Sequence, residues 1–205
     1  MGRRSAAVVA DVTQPEQVAR MFHEAVGALG RVDILVNNAG IIRWEHFLEI
    51  TPVELRAVVN VNIMGTVHVC QAAARQMIAQ GGGGRIILTS SVQSDMQFPI
   101  TPVYGATKKA AHTLVGVMAL ELAQYGITVN HIGPGWVQSA LNDPSPELQT
   151  EDGIAAQRQA VPLRRAGEID EMGRAVVYFA SADGDYTTGA FLRVDGGLGI
   201  SKYSS

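Results

Sequence analysis

A chain of 205 residues, 47% hydrophobic and 17% charged, has enough interior for one sizeable core and lies far from the composition of a disordered polymer. Its formal net charge of -3 argues against a nucleic-acid surface or a basic membrane patch, and no apolar run approaches the ~20 residues of a bilayer span. The lone cysteine, Cys70, excludes an internal disulfide framework and fits a reducing, cytoplasmic setting.

In chain order, "SAAVVAD" reads as a first strand. Thr13 and Glu16 then have capping-box spacing, and Val18, Met21, Phe22, Ala25, Val26 and Leu29 form an apolar stripe at helical period up to Gly30. "VDILVNNAG" reads as a buried strand running into a turn. Thr51-Pro52-Val53-Glu54 repeats the capping logic ahead of a long helix, with proline at the first helical position. The Gly81–Gly84 run turns the chain into the strand "RIILTSS". A helix is expected from near Pro102 to about Tyr125, closed by Gly126, followed by the strand "ITVNHIGPG". Residues 139–165 are polar and weakly periodic and read as a substrate lid. "GEIDEMGRAVVYFASA" is the last helix and "AFLRVDGG" the last strand. Strands alternating with helices predict an α/β fold with a parallel sheet, in one domain over residues 1–205.

Tyr104 and Lys108 stand four residues apart on the helix opened by Pro102, so their side chains share a face. A phenol is a weak base at neutral pH, and a neighbouring ammonium should lower its pKa towards useful acid–base range. Ser91 ends a strand at the sheet edge where open α/β folds bind ligands, and its hydroxyl can hold a substrate oxygen or simply finish the strand. Asn62 lies mid-helix among apolar neighbours, where an amide needs a polar reason: a bound water in a proton relay, or a structural hydrogen bond.

The ordered set "NNAG", "NVNIMG", "SS", "YGATK", "NHIGPG" and "VDGG" closely resembles the short-chain dehydrogenases/reductases over essentially the whole chain. The resemblance implies a Rossmann-like, doubly wound, mostly parallel sheet flanked by helices. It implies an NAD- or NADP-dependent oxidoreductase acting on a small alcohol or carbonyl substrate, with no metal, assembled as a homodimer or homotetramer. Tyr104 would be the general acid/base, Lys108 its partner and a ribose ligand, Ser91 the substrate-orienting hydroxyl and Asn62 the anchor of the relay water. Asp11 and Val12 match the adenine segment, Asn38, Ala39 and Gly40 the adenosine-ribose turn, and Pro134, Gly135, Val137 and Ser139 the segment around the nicotinamide. Within the family, "SSVQSDMQFPITPVYGATK" and "YTTGAFLRVDGG" look most like the glucose 1-dehydrogenase branch, which puts a sugar among the expected substrates, with 3-oxoacyl-carrier-protein reductase and general alcohol dehydrogenase as the open alternatives.

The family also begins with a strand, a T-G-x-x-x-G-x-G turn, a helix and a second strand, a unit of roughly 30 residues or more that places the pyrophosphate on a helix N-terminus. Residues 1–205 contain no such turn, since Gly81–Gly84 precedes a strand rather than a helix. The chain is therefore expected to be an N-terminally truncated form of the fold. "AAVVAD" would then either pair with "DILVNNAG" or leave apolar strand edges exposed. A catalytically inactive interaction subunit that binds no cofactor is the alternative to an active enzyme.

Overall fold

The computed structural model describes residues 3–137 and 150–201. Four parallel strands form one sheet in chain order: β1 (Ile34–Asn37), β2 (Gly84–Thr89), β3 (Ile127–Pro134) and β4 (Phe191–Val194). Alternate side chains of β2 and β3 serve opposite faces, as the period of a strand requires. Ile86 and Leu88 of β2 and Ile127 and Val129 of β3 meet Ala73 and Met77 of α3 (Thr66–Gln80) and Ala111, Val115 and Ala119 of α4 (Pro102–Leu122). Ile87 and Ile132 point the other way, onto Ala175 and Phe179 of α6 (Ile169–Ala180). Helices on both faces of a parallel sheet are the Rossmann-like arrangement expected from the sequence.

α2 (Pro52–Val59) runs through a π-helical turn (Asn60–Gly65) into α3 as one helix of 29 residues. Its length and composition would suffice to cross a bilayer. Here its buried side chains Val58, Val69, Cys70, Ala73 and Met77 instead face the interior of the fold. The start of α2 follows the sequence expectation. Thr51 Oγ1 accepts from the Glu54 backbone N–H at 3.3 Å and donates to Glu54 Oε2 at 2.5 Å, and Pro52 occupies the first turn. Thr51→Ala should lower stability by about 1 kcal/mol in a urea titration, with an unchanged denaturant slope. At the far end of the domain α4 closes through a 3₁₀ turn onto Gly126, left-handed at φ 69°, as expected.

Three expectations are corrected. Residues 5–11 form no strand, because no described strand lies beside them to make a ladder; "AAVVAD" does not pair with β1. β1 is consequently an edge whose Ile34 and Val36 remain 45% and 43% exposed. Thr13 is not a helix cap: α1 (Pro15–Leu29) starts from Gln14 without a side-chain cap, while Asp11 Oδ1 accepts from Thr13 N at 2.9 Å to form a tight turn. The expected lid contains a helix, α5 (Glu151–Ala160), opened by Thr150, whose hydroxyl accepts from Gly153 N at 3.0 Å. Residues 138–149 of that segment, with Ser139, lie outside the described residues.

Candidate active site

The segments that leave β1, β2 and β3 converge at the carboxyl edge of the sheet, where strand connections cross over and ligands bind in open α/β folds. There they enclose a cavity of about 740 Å³ lined by Asn38 and Gly40 after β1, Ser90 and Ser91 after β2, and Pro134, Gly135 and Val137 after β3. α4 adds Tyr104 and Lys108, and α6 adds Met172 and Val176. The structure thus brings together Ser91, Tyr104, Lys108, Asn38, Gly40, Pro134, Gly135 and Val137 at one opening. Asp11, Val12 and Ala39 do not line it. Val12 instead packs against Gly65, where a Cβ would lie 2.7 Å from Val12 Cγ2, and its carbonyl sits 3.1 Å from His68 Nδ1.

Ser91 caps a short 3₁₀ turn (Val92–Ser94), its Oγ accepting from Gln93 N at 3.1 Å. Tyr104 and Lys108 are 7% and 8% exposed, and the ammonium lies over the phenol ring, 5.3 Å from its centre. Lys108 Nζ also donates to the Thr89 carbonyl at 2.9 Å, which fixes the side chain against β2. Burial pushes the Tyr104 phenol up to about 12, with the Ser91 hydroxyl pulling the other way, and burial brings the Lys108 ammonium down to about 8. The expected lowering of the phenol by Lys108 is therefore overruled. Desolvation dominates, and the opposing pull comes from the Ser91 hydroxyl rather than from the ammonium, which lies over the ring. At neutral pH Tyr104 is a protonated acid beside a largely protonated ammonium.

Asn62 occupies the π turn, a device that recurs at functional sites because it widens the helix and re-aims a side chain. Its Oδ1 accepts from Ile41 N at 2.9 Å, and its Nδ2 donates to Ile41 O at 2.9 Å and to Thr107 Oγ1 at 3.1 Å. Thr107 in turn donates to the Tyr104 carbonyl at 2.7 Å. Asn62 thus ties the loop after β1 to the helix that carries Tyr104, which gives its buried amide the structural hydrogen bonds that one of the two roles requires. A Cβ at Gly40 would stand 3.4 Å from Asn62 Oδ1 and 3.6 Å from Lys108 Nζ, so this loop passes directly over both groups. Gly135 is required by close approach too, because a Cβ there would lie 2.7 Å from the Asp195 Cα.

Residues that the sequence left unassigned also build the wall, among them Ile42, Trp44, Phe98, Pro99, Ile100 and Trp136. Ile100 holds φ at 58°, a left-handed conformation costly for a β-branched residue, and its carbonyl accepts from Glu45 N at 2.8 Å. That bond joins the two loops of the wall. Strain at a cavity rim was the one local signal available, and it is invisible without the backbone.

The donor set fits the nicotinamide–ribose end of a dinucleotide: a buried ammonium with N–H groups beyond its one bond to Thr89, a loop without a side chain at Gly40, and a close backbone approach at Gly135. At this edge, among the described residues, no glycine-rich turn opens a helix; Gly81–Gly84 lies at the opposite end of β2.

A parallel α/β sheet with a serine, a buried tyrosine and a lysine at its carboxyl edge defines an oxidoreductase of Rossmann-like type. Residues 1–199 match the family model described as enoyl-(acyl carrier protein) reductase. The chain is 36% identical over 191 residues to the L-rhamnose-1-dehydrogenase of Scheffersomyces stipitis, spanning 93% of this chain and 73% of that protein. It is likewise 36% identical over 197 residues to the 2-dehydro-3-deoxy-D-gluconate 5-dehydrogenase of Escherichia coli, spanning 96% and 77%. A crystal structure of a gluconate 5-dehydrogenase from Burkholderia cenocepacia, in complex with NADP and tartrate, superposes with a TM-score of 0.88 at 38% identity, over 93% of this chain and 74% of that one. The chain belongs to the short-chain dehydrogenase/reductase family.

Proposed function

We propose that the chain interconverts a small secondary alcohol and its ketone, with NAD or NADP as the hydride carrier, and that sugars or sugar acids are its substrate class. The observation that carries this reading is the buried Tyr104 phenol beside Ser91 and Lys108 at the mouth of the cavity. In the reductive direction Ser91 Oγ orients the carbonyl oxygen, and Tyr104 donates its phenolic proton to that oxygen. A nicotinamide cofactor held beside Lys108, Gly40 and Gly135 would supply the hydride that the carbonyl carbon gains. The Lys108 ammonium stabilises the tyrosinate left behind and would hold the ribose hydroxyls of the cofactor, while Asn62 would anchor the relay that brings a solvent proton back to Tyr104. In the oxidative direction each transfer reverses, and the high pKa of the phenol makes alkaline solution the favourable condition.

The names of the relatives support a polyol substrate, the glucose-type branch being one member of that class. A non-catalytic interaction subunit finds no support, since it has no physical need for Ser91, Tyr104 and Lys108 at one cavity. Self-association as a dimer or tetramer in the cytoplasm, with residues 1–205 as one domain, belongs to the same proposal. The exposed Val117 and Leu120 beside the open surface of Gly116 on α4 support the association.

Titration of the chain with NADH and with NADPH, followed by nicotinamide fluorescence and calorimetry, is the direct test. Saturable binding within the micromolar-to-millimolar range of ordinary KM values is expected. Absence of binding with both dinucleotides, together with absence of turnover, would overturn the reading.

A further inference from the structure

Resting on that reading, the geometry points to Gln93 as the residue that recognises an oxygen substituent beside the reacting carbon, which makes vicinal diols and α-hydroxy ketones the preferred substrates. Gln93 sits two residues after Ser91 in the same 3₁₀ turn, and its backbone N–H is held by Ser91 Oγ at 3.1 Å. Its side chain crosses to the first turn of α4. There Oε1 accepts from Thr101 Oγ1 at 2.9 Å, and Thr101 is 1% exposed. A Cβ on Gly105, the neighbour of Tyr104, would lie 3.3 Å from the same Oε1. The carboxamide is therefore clamped between the turn that carries Ser91 and the helix that carries Tyr104, and Gln93 is one of the residues that line the cavity.

Oε1 is committed to Thr101, and among the described residues Nε2 donates to no protein group. Trp44, Val92, Phe98, Pro99 and Trp136 line the same cavity, whose wall is largely apolar, with the unpartnered Trp44 Nε1 as a further donor. Asn38 and Gln157 also reach the cavity, but from β1 and α5; Gln93 alone of the three shares a turn with the substrate-orienting serine. An immobilised amide donor in an apolar pocket discriminates by what is lost without an acceptor, because a substrate lacking the oxygen leaves the N–H unpaired. A ketone bound with its carbonyl oxygen at Ser91 and Tyr104 presents its neighbouring substituent within reach of that donor, and a hydroxyl there accepts from Nε2.

The test compares 3-hydroxybutan-2-one with butan-2-one, which differ by that one hydroxyl, in reduction by the intact chain. The wild type should prefer the hydroxy ketone by roughly tenfold or more in kcat/KM, the worth of one well-placed hydrogen bond. Gln93→Met, which conserves volume, should bring the two compounds near parity by raising KM for the hydroxy ketone alone. Thr101→Val, which frees the amide without removing it, should lose part of the preference. Butane-2,3-diol should raise the melting temperature of the wild type and not of Gln93→Met, a readout independent of turnover. A Gln93→Met variant that loses both ketones equally marks a structural residue and overturns the proposal, while the hydride-transfer reading stands. A wild type that neither distinguishes the ketones nor is stabilised by the diol overturns it as well. The dinucleotide titration separately decides whether the chain binds the hydride carrier, on which the hydride-transfer reading rests.

Discussion

Tyr104→Phe should reduce carbonyl reductase activity by roughly 10²–10⁴-fold, the range that a positioned general acid contributes, while the folded structure and dinucleotide binding persist. The phenol ring is packed at the start of α4 with 7% exposure, and phenylalanine fills the same volume. What disappears is the hydroxyl, which faces Ser91 and carries the proton that the proposed step delivers to the substrate oxygen. The lost interaction with Ser91 is worth about 1 kcal/mol at most, so the melting temperature should move by no more than a few degrees. Loss confined to kcat, with the dinucleotide dissociation constant unchanged, identifies an interaction made in the transition state. Activity that survives the substitution would remove Tyr104 from the mechanism and leave Ser91 without a proton donor.

The elements that the sequence made legible were those with complete local signals. α4 has proline at its start and a left-handed glycine at its end, and β2 and β3 are apolar runs with helices on both sides. Residues 5–11 have the same composition as those strands and still form none, because a strand is a relation between neighbours and the ladder is absent. α5 was hidden for the opposite reason. A polar, weakly amphipathic helix of ten residues looks like a loop unless the Thr150 cap is weighed. At the site, the spacing of Tyr104 and Lys108 showed that they meet, but not that both are buried. Burial is what reversed the expected direction of the phenol's pKa. Gln93, Trp44 and Ile100 were not legible at all, since loops brought together from distant parts of the chain carry no period that a single sequence could display.

Below neutrality, stability should fall by an amount on the order of 3 kcal/mol from His131 alone, and His131→Leu should abolish that part of the fall. His131 stands in the middle of β3 with 1% exposure, stacked on Phe191 of β4 at 4.6 Å and edge-on to His112 of α4 at 4.9 Å. Its Nδ1 has no hydrogen-bond partner, and neither has Nδ1 of His112. Burial, then the facing His112, lower its pKa to about 4, and the Asp95 carboxylate only partly offsets them. That carboxylate is itself engaged by Arg193 at 2.6 Å and by Lys109 at 3.4 Å, which limits what it can return to the imidazole. The folded state therefore prefers the neutral ring, whereas the unfolded chain takes up its proton near pH 6.5. Above that value the preference contributes in full, it is lost progressively as pH falls from about 6.5 towards about 4, and below that both states are protonated and the slope vanishes. For a chain of this size the full loss corresponds to a drop of roughly 6–12 °C in melting temperature between neutral buffer and about pH 4. The exposed carboxylates titrate in both proteins, so the quantity to measure is the difference between wild type and His131→Leu across that window. Parallel curves would mean that the imidazole is protonated in the folded protein and that the cluster of His112, His131 and Phe191 tolerates a charge.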